Sequence, residues 1–218
     1  MTSIGILAGI LFAIAIGAMS PGPSFILVSR ISVSHSRLHG LASAIGMGMG
    51  GAFFATLALV GLVALLQQVE WLYLVLKFAG GLYLVYLGIR IWQGAKTPLT
   101  SGAGDVAIRK TSVWRSLGLA FATQVSNPKT AVVYASIFAA LMPAAPPLAV
   151  LLVLPPAIFL VEMTWYAIVA LAFSAERSQR VYLRWKISVD RLAALVIGGL
   201  GLRLVGETVT SASRLTLR

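Results

Sequence analysis

Leu148–Phe173 reads LAVLLVLPPAIFLVEMTWYAIVALAF, apolar throughout, with Glu162 its single charge. A helix needs about 20 such residues to cross the hydrocarbon core of a bilayer. Working outward from this run, five more of the same kind follow, at about Ile4–Ser29, Leu41–Leu66, Trp71–Gln93, Val113–Leu141 and Val189–Glu207. Six spans with their connections use the whole chain and leave no room for a separate soluble domain. The expected fold class is therefore an all-α integral membrane protein. Composition agrees: 59% of the 218 residues are hydrophobic and 11% are charged. Average soluble domains are about 45–50% apolar and about 25% charged. Disorder is excluded by the same numbers. Cysteine is absent, so disulfides, thiol redox chemistry and thiolate metal sites are excluded too.

The net charge of +11 would suggest nucleic acid in a soluble protein. In a membrane protein it is first a topology signal. Twelve basic residues fall in three alternate connections: Arg30 and Arg37; Arg90, Lys96, Arg109, Lys110 and Arg115; and Arg177, Arg180, Arg184, Lys186 and Arg191. The connections Gln67–Glu70 and Met142–Pro147 hold none, and the tail adds Arg214 and Arg218. Basic loops stay in the cytoplasm, which predicts both termini outside it. Ala175–Ile187 reads as a short interfacial helix facing anionic lipid rather than as a nucleic-acid surface. The first run has no Lys or Arg before it and is too long for a signal's core, so it reads as a retained helix.

Gln93–Ser112 carries Pro98, Gly102 and Gly104 and reads as a linker between halves. Residues 1–93 then form a first three-helix repeat, 94–112 a cytoplasmic linker and 113–218 a second repeat. An odd number of spans per half requires the second half to enter the membrane inverted, the usual construction of secondary transporters. Matching motifs fall in order. Ser20-Pro21-Gly22-Pro23-Ser24 corresponds to Ser126-Asn127-Pro128-Lys129-Thr130, and Gly88-Ile89-Arg90 to Gly201-Leu202-Arg203.

Proline inside a helix removes a backbone hydrogen bond, and in lipid the freed carbonyl needs another partner. Paired interrupted helices are the best sequence pointer to a transport site. They nominate Pro21, Gly22, Pro23 and Ser24 on one side and Gln124, Asn127, Pro128 and Lys129 on the other. Asn127 is the only asparagine in the chain, with donor and acceptor on one amide. A lysine at the centre of a span costs about 2.5–3.5 kcal/mol, so Lys129 needs a partner or water. Glu162, read as the only carboxylate within a span, is either its ion-pair partner or a proton carrier. Trp165 and Tyr166 follow as path lining or as packing. Lys77, Arg90 and Arg203 lie near span ends, where they can snorkel to the headgroups. His35 and His39 read as loop residues, and Pro155-Pro156 as a kink or gate. Gly46-Met47-Gly48-Met49-Gly50-Gly51 matches a dinucleotide fingerprint, but inside an apolar run it reads as close helix packing, within the protomer or across a homodimer.

Ser20-Pro21-Gly22-Pro23, Asn127-Pro128-Lys129 and the run from Lys77 to Gly88 together resemble the LysE/RhtB superfamily of bacterial amino-acid exporters, over nearly the whole chain. The resemblance implies an inner-membrane carrier that exports amino acids or close derivatives on the proton motive force, with no cofactor. It implies functional roles for Pro21, Gly22, Pro23, Asn127, Pro128 and Lys129. The scarcity of intramembrane acids favours neutral substrates. A heavy-metal or other small-solute exporter, or a non-transport membrane subunit, is the alternative. An enzyme is not expected.

Overall fold

The computed structural model describes residues 2–20, 22–66, 70–96, 112–143, 145–172 and 176–216. Eight helices account for nearly all of them: α1 (Ser3–Met19), α2 (Pro23–Ser34), α3 (Arg37–Leu66), α4 (Glu70–Gly94), α5 (Val113–Val125), α6 (Pro128–Leu141), α7 (Leu148–Ala172) and α8 (Glu176–Thr216). No strand occurs among the described residues. α3, α7 and Trp185–Thr210 of α8 contain stretches long and apolar enough to cross a membrane, and α1 with α2 makes a fourth if the bent pair is one span. Large side chains such as Leu57, Leu82, Tyr86, Leu152, Leu160, Leu195 and Leu202 stand exposed around the bundle, as a lipid-facing surface requires. The chain is a multi-pass, all-α membrane protein.

Two expected spans are each two helices. α1 ends at Met19 with Ser20 as its cap, and α2 begins at Pro23, turned by 61°. α5 ends at Val125 with Ser126 as its cap, and α6 begins at Pro128. Proline suits the first helical position, where its missing N–H is not needed. The break is therefore written into the chain twice. Asn127 caps α6 by accepting from the Lys129 backbone N–H at 3.0 Å. Pro155 and Pro156, by contrast, sit inside an uninterrupted α7.

The basic segment at Glu176–Ile187 is not a separate interfacial helix. It continues into the last span as one helix of 41 residues, about 60 Å long. No helix-breaking residue separates the two parts. Most of the expected linker, residues 97–111, lies outside the described residues.

The apolar core has two parts. One gathers Ile10, Ile14, Leu84, Ile137, Leu154, Ile158 and Ile197. The other gathers Phe25, Val28, Met47, Ala120, Tyr166 and Val169. Along α7, Ile158 belongs to the first and Tyr166 to the second; Glu162 lies between them, one turn from each. Both helix breaks fall in the same interval.

Glycines set the packing. A Cβ on Gly46 would collide with the Leu117 carbonyl oxygen of α5, and one on Gly48 would lie 2.8 Å from the Phe159 carbonyl oxygen of α7. The glycine-rich face of α3 is thus used within the chain. Along α4 and α8, a Cβ on Gly81 would sit 3.1 Å from the Gly201 carbonyl oxygen, and one on Gly88 would sit 2.8 Å from that of Ala194. Small residues let these helices touch backbone to backbone.

Candidate functional site

The two breaks meet. Ser24, in the first turn of α2, donates to Gln124 Oε1 at the end of α5 at 2.7 Å, and accepts from Asn127 Nδ2 at 3.4 Å. Gln124 in turn donates from Nε2 to Glu162 Oε2 at 2.6 Å. The other carboxylate oxygen accepts from the Tyr134 hydroxyl at 2.8 Å. Gln124 and Glu162 are 1% and 3% exposed. Buried polar groups of this kind must be mutually satisfied, and here each bond uses a donor on one helix and an acceptor on another. Gly51 makes room: a Cβ there would stand 2.8 Å from both Glu162 Oε2 and the Tyr134 hydroxyl.

Lys129 does not pair with Glu162. Its Nζ donates to Ser20 Oγ, at the end of α1, at 3.2 Å. Ser20 donates to Asp190 Oδ1 on α8 at 2.9 Å. Asp190 Oδ2 accepts from Lys186 Nζ at 2.7 Å, and that ammonium also donates to the carbonyls of Gly94 and Ala95 at 3.2 and 3.1 Å. The expected Glu162–Lys129 ion pair fails for a physical reason. Tyr134, further along α6, and Gln124 occupy both Glu162 oxygens, while Lys129 in the first turn of α6 faces the opposite break. Lys129 keeps two ammonium protons without an acceptor among the described residues. They border the cavity, and Nζ lies 3.7 Å from where a Cβ of Gly22 would be.

The polar side of that cavity includes Ser20, Ser24, Gln124, Asn127, Lys129 and Glu162, and Tyr134, Tyr166, Ile14 and Val133 are among its other walls. Its volume is about 40 Å³, enough for water but not for an amino acid. Of the expected site residues, Gly22, Ser24, Gln124, Asn127, Lys129 and Glu162 are brought together. Pro23 and Pro128 open the second helix of each break. Pro21 lies outside the described residues. Tyr166 lines the cavity, whereas Trp165 packs beside it against the second apolar cluster.

A model of the LysE type translocator family matches residues 15–208, a stretch that contains both breaks and every group just described. The chain belongs to the LysE-type translocator family. It is 29% identical over 190 residues to a threonine efflux protein of Salmonella typhi, covering 87% of this chain and 92% of that one. A threonine efflux protein of Escherichia coli K12 is 28% identical over 192 residues, covering 87% and 92%. A leucine efflux protein of Enterobacter is 31% identical over 119 residues, covering 54% of each chain. No solved structure matches significantly.

In this translocator, sequence reading missed Asp190, Lys186, Ser20 and Tyr134. Asp190 is a second intramembrane carboxylate, 4% exposed, where only Glu162 was expected. Its signal was present as Lys186 and Asp190 at i, i+4, a spacing that places them on one helix face. Counting Lys186 among loop charges concealed it. Tyr134 stands seven residues after Asn127, two turns along the same face.

Proposed function

We propose that this translocator exports neutral amino acids across the bacterial inner membrane by proton antiport, with six spans in two inverted halves and both termini outside the cytoplasm. The observation that carries the reading is the convergence of two broken helices on one buried cavity whose charged lining, among the described residues, is Glu162 and Lys129. The relatives named for threonine and leucine efflux support the substrate class, since both side chains are uncharged.

The helix contacts support the inverted halves. Placing Gly88 on Gly201 also places Gly81 on Ala194 and Lys77 on Asp190. Exchanging the halves therefore turns the Gly81–Gly201 approach into the Ala194–Gly88 approach, and both approaches are made. A two-fold axis in the membrane plane relates contacts in this way. Orientation follows from the excess of basic residues in alternate connections, ten of the twelve once Lys186 and Arg191 are counted with the last span.

In this mechanism the substrate carboxylate takes the spare donors of Lys129. Its ammonium takes the hydroxyl oxygens of Ser20 and Ser24, displacing bonds the cluster makes to itself. Glu162 carries the proton inward while the substrate moves outward. Because the cavity is smaller than an amino acid, loading requires the half-helices to separate.

The test is efflux from liposomes loaded with an amino-acid mixture under an imposed pH gradient. Gradient-dependent loss of threonine- or leucine-like species is expected. Tight liposomes with folded protein that lose no amino acid overturn the reading. Glu162→Gln, similar in shape, is expected to fold and to lose gradient-driven export; unchanged export would remove the coupling role.

A further inference from the structure

A second cavity, of about 290 Å³, lies at the end of the bundle that carries the N-terminus. Ile6 of α1, Leu141 and Met142 at the end of α6, and Leu204 of α8 form its apolar wall. Its polar wall is Lys77 of α4 with Arg203 and Glu207 of α8. Drug-sized ligands take roughly 300–1,000 Å³, so an amino acid fits here although it does not fit the central cavity.

The charges suit a zwitterion. Glu207 meets Lys77 at 3.4 Å and Arg203 at 2.8 Å, so two cations share one carboxylate and the cavity carries net positive charge. Charge-assisted N–H···O bonds are normally about 2.7–2.9 Å long; the Lys77 bond, at 3.4 Å, is longer. Lys77 was expected to be able to snorkel to the headgroups, yet its side chain is only 19% exposed and lines the cavity.

The same helices line both cavities. α1 contributes Ile6 to one and Ile14 to the other; α6 contributes Leu141 to one and Val133 to the other. Between them α1 and α6 close on an aliphatic seam. A Cβ on Gly9 would lie 3.7 Å from Leu141 and one on Gly17 would lie 3.6 Å from Val133. Those are ordinary van der Waals distances, and the Lys129–Ser20 bond joins the same two helices at the central-cavity end of the seam. Parting it would join the central site to this vestibule.

We infer that the vestibule is a second amino-acid subsite, in which Lys77 and Arg203 hold the carboxylate, Glu207 the ammonium, and the apolar wall an uncharged side chain. It rests on the carrier reading above and gives the outbound substrate a site after the central one.

The absence of cysteine allows a direct test. Leu200→Cys places one thiol in the vestibule, and a membrane-impermeant thiol reagent is applied outside proteoliposomes. External leucine or threonine is expected to slow labelling several-fold. The N-acetyl derivative, which lacks the ammonium, and the amide, which lacks the carboxylate, are expected to protect far less. Protection should persist when Glu162→Gln is added, since it requires no turnover. It should vanish with Lys77→Met or Glu207→Gln. Labelling indifferent to the amino acid, in protein that still exports, overturns the subsite and leaves the carrier standing. Equal protection by the N-acetyl derivative overturns the role of Glu207. Loss of export in the parent chain overturns the carrier reading instead.

Discussion

α4 and α8 pack along each other, yet the charges at their two ends behave differently. At one end Lys186 and Asp190 meet at 2.7 Å with side chains 9% and 6% exposed. Two backbone carbonyls and Ser20 complete their bonding. At the other end Lys77 meets Glu207 at 3.4 Å beside the open vestibule, and Glu207 is 43% exposed. The same two helices thus make a sealed end and a loose one. The sealed end is tied through Ser20 to Lys129 and the breaks, so it can be unfastened only with the site. The loose end can exchange its partners for a ligand without disturbing the core.

Removing one partner of a buried pair strands the other, at a cost of about 3–5 kcal/mol. Lys186→Met is therefore expected to give the largest loss of stability, read as a lowered unfolding temperature in detergent and followed by tryptophan fluorescence. A change no greater than that of a surface variant would break the contrast. The double variant Lys186→Met with Asp190→Leu sharpens it. Apolar replacement of a whole buried pair is often neutral, so stability should return. Export should not, because Ser20, the partner of Lys129, loses the acceptor that orients it.

Gly201→Ala is next. Its Cβ would stand 2.6 Å from the Gly81 carbonyl oxygen and 2.7 Å from the Val85 nitrogen, and backbone cannot yield as a side chain can. Overpacking of this kind costs about 1–3 kcal/mol, and both ends of the helix pair should loosen together. Ser24→Ala removes two hydrogen bonds, leaving Gln124 Oε1 without its donor and Asn127 Nδ2 without its acceptor. The expected loss is about 1–3 kcal/mol, with a larger fall in export than in stability. Smallest is Arg203→Ala at the loose end. Exposed pairs are worth about 0–1 kcal/mol, so the unfolding temperature should barely move. A drop approaching that of Lys186→Met would mean that the two ends are built alike.

Much of the site was legible because it is local. Pro23 and Pro128 each follow a residue suited to capping a new helix, Gly22 and Asn127, and Asn127 caps through a neighbour two residues away; Pro155 and Pro156 have no such residue before them and α7 runs on. Ser24, Gln124, Asn127, Lys129 and Glu162 stood out as polar groups in apolar surroundings, and the fold gathers them. The pairing did not follow. Glu162 and Lys129 are the two most conspicuous charges in the spans, and opposite charge joined them on paper. In the bundle, Tyr134 and Gln124 reach Glu162 first. Asp190 was hidden for the converse reason. It lies at the border of a basic segment that reads as loop, and only the unbroken α8 carries it into the core.

Sequence alone determined the number of apolar runs, the two places where a helix must stop and restart, and the charge asymmetry between the connections. Each depends on a few neighbouring residues, through hydrocarbon length, the missing proline N–H and the cost of moving lysine and arginine across lipid. Which carboxylate answers which cation was decided only by tertiary structure. Ser20 meets Asp190 across 170 residues and Lys129 across 109, and no local rule chooses among acceptors that far apart. The choice comes from close packing at Gly46, Gly51, Gly81 and Gly201. There the missing side chains set how near the helices come, and so which polar groups fall within reach.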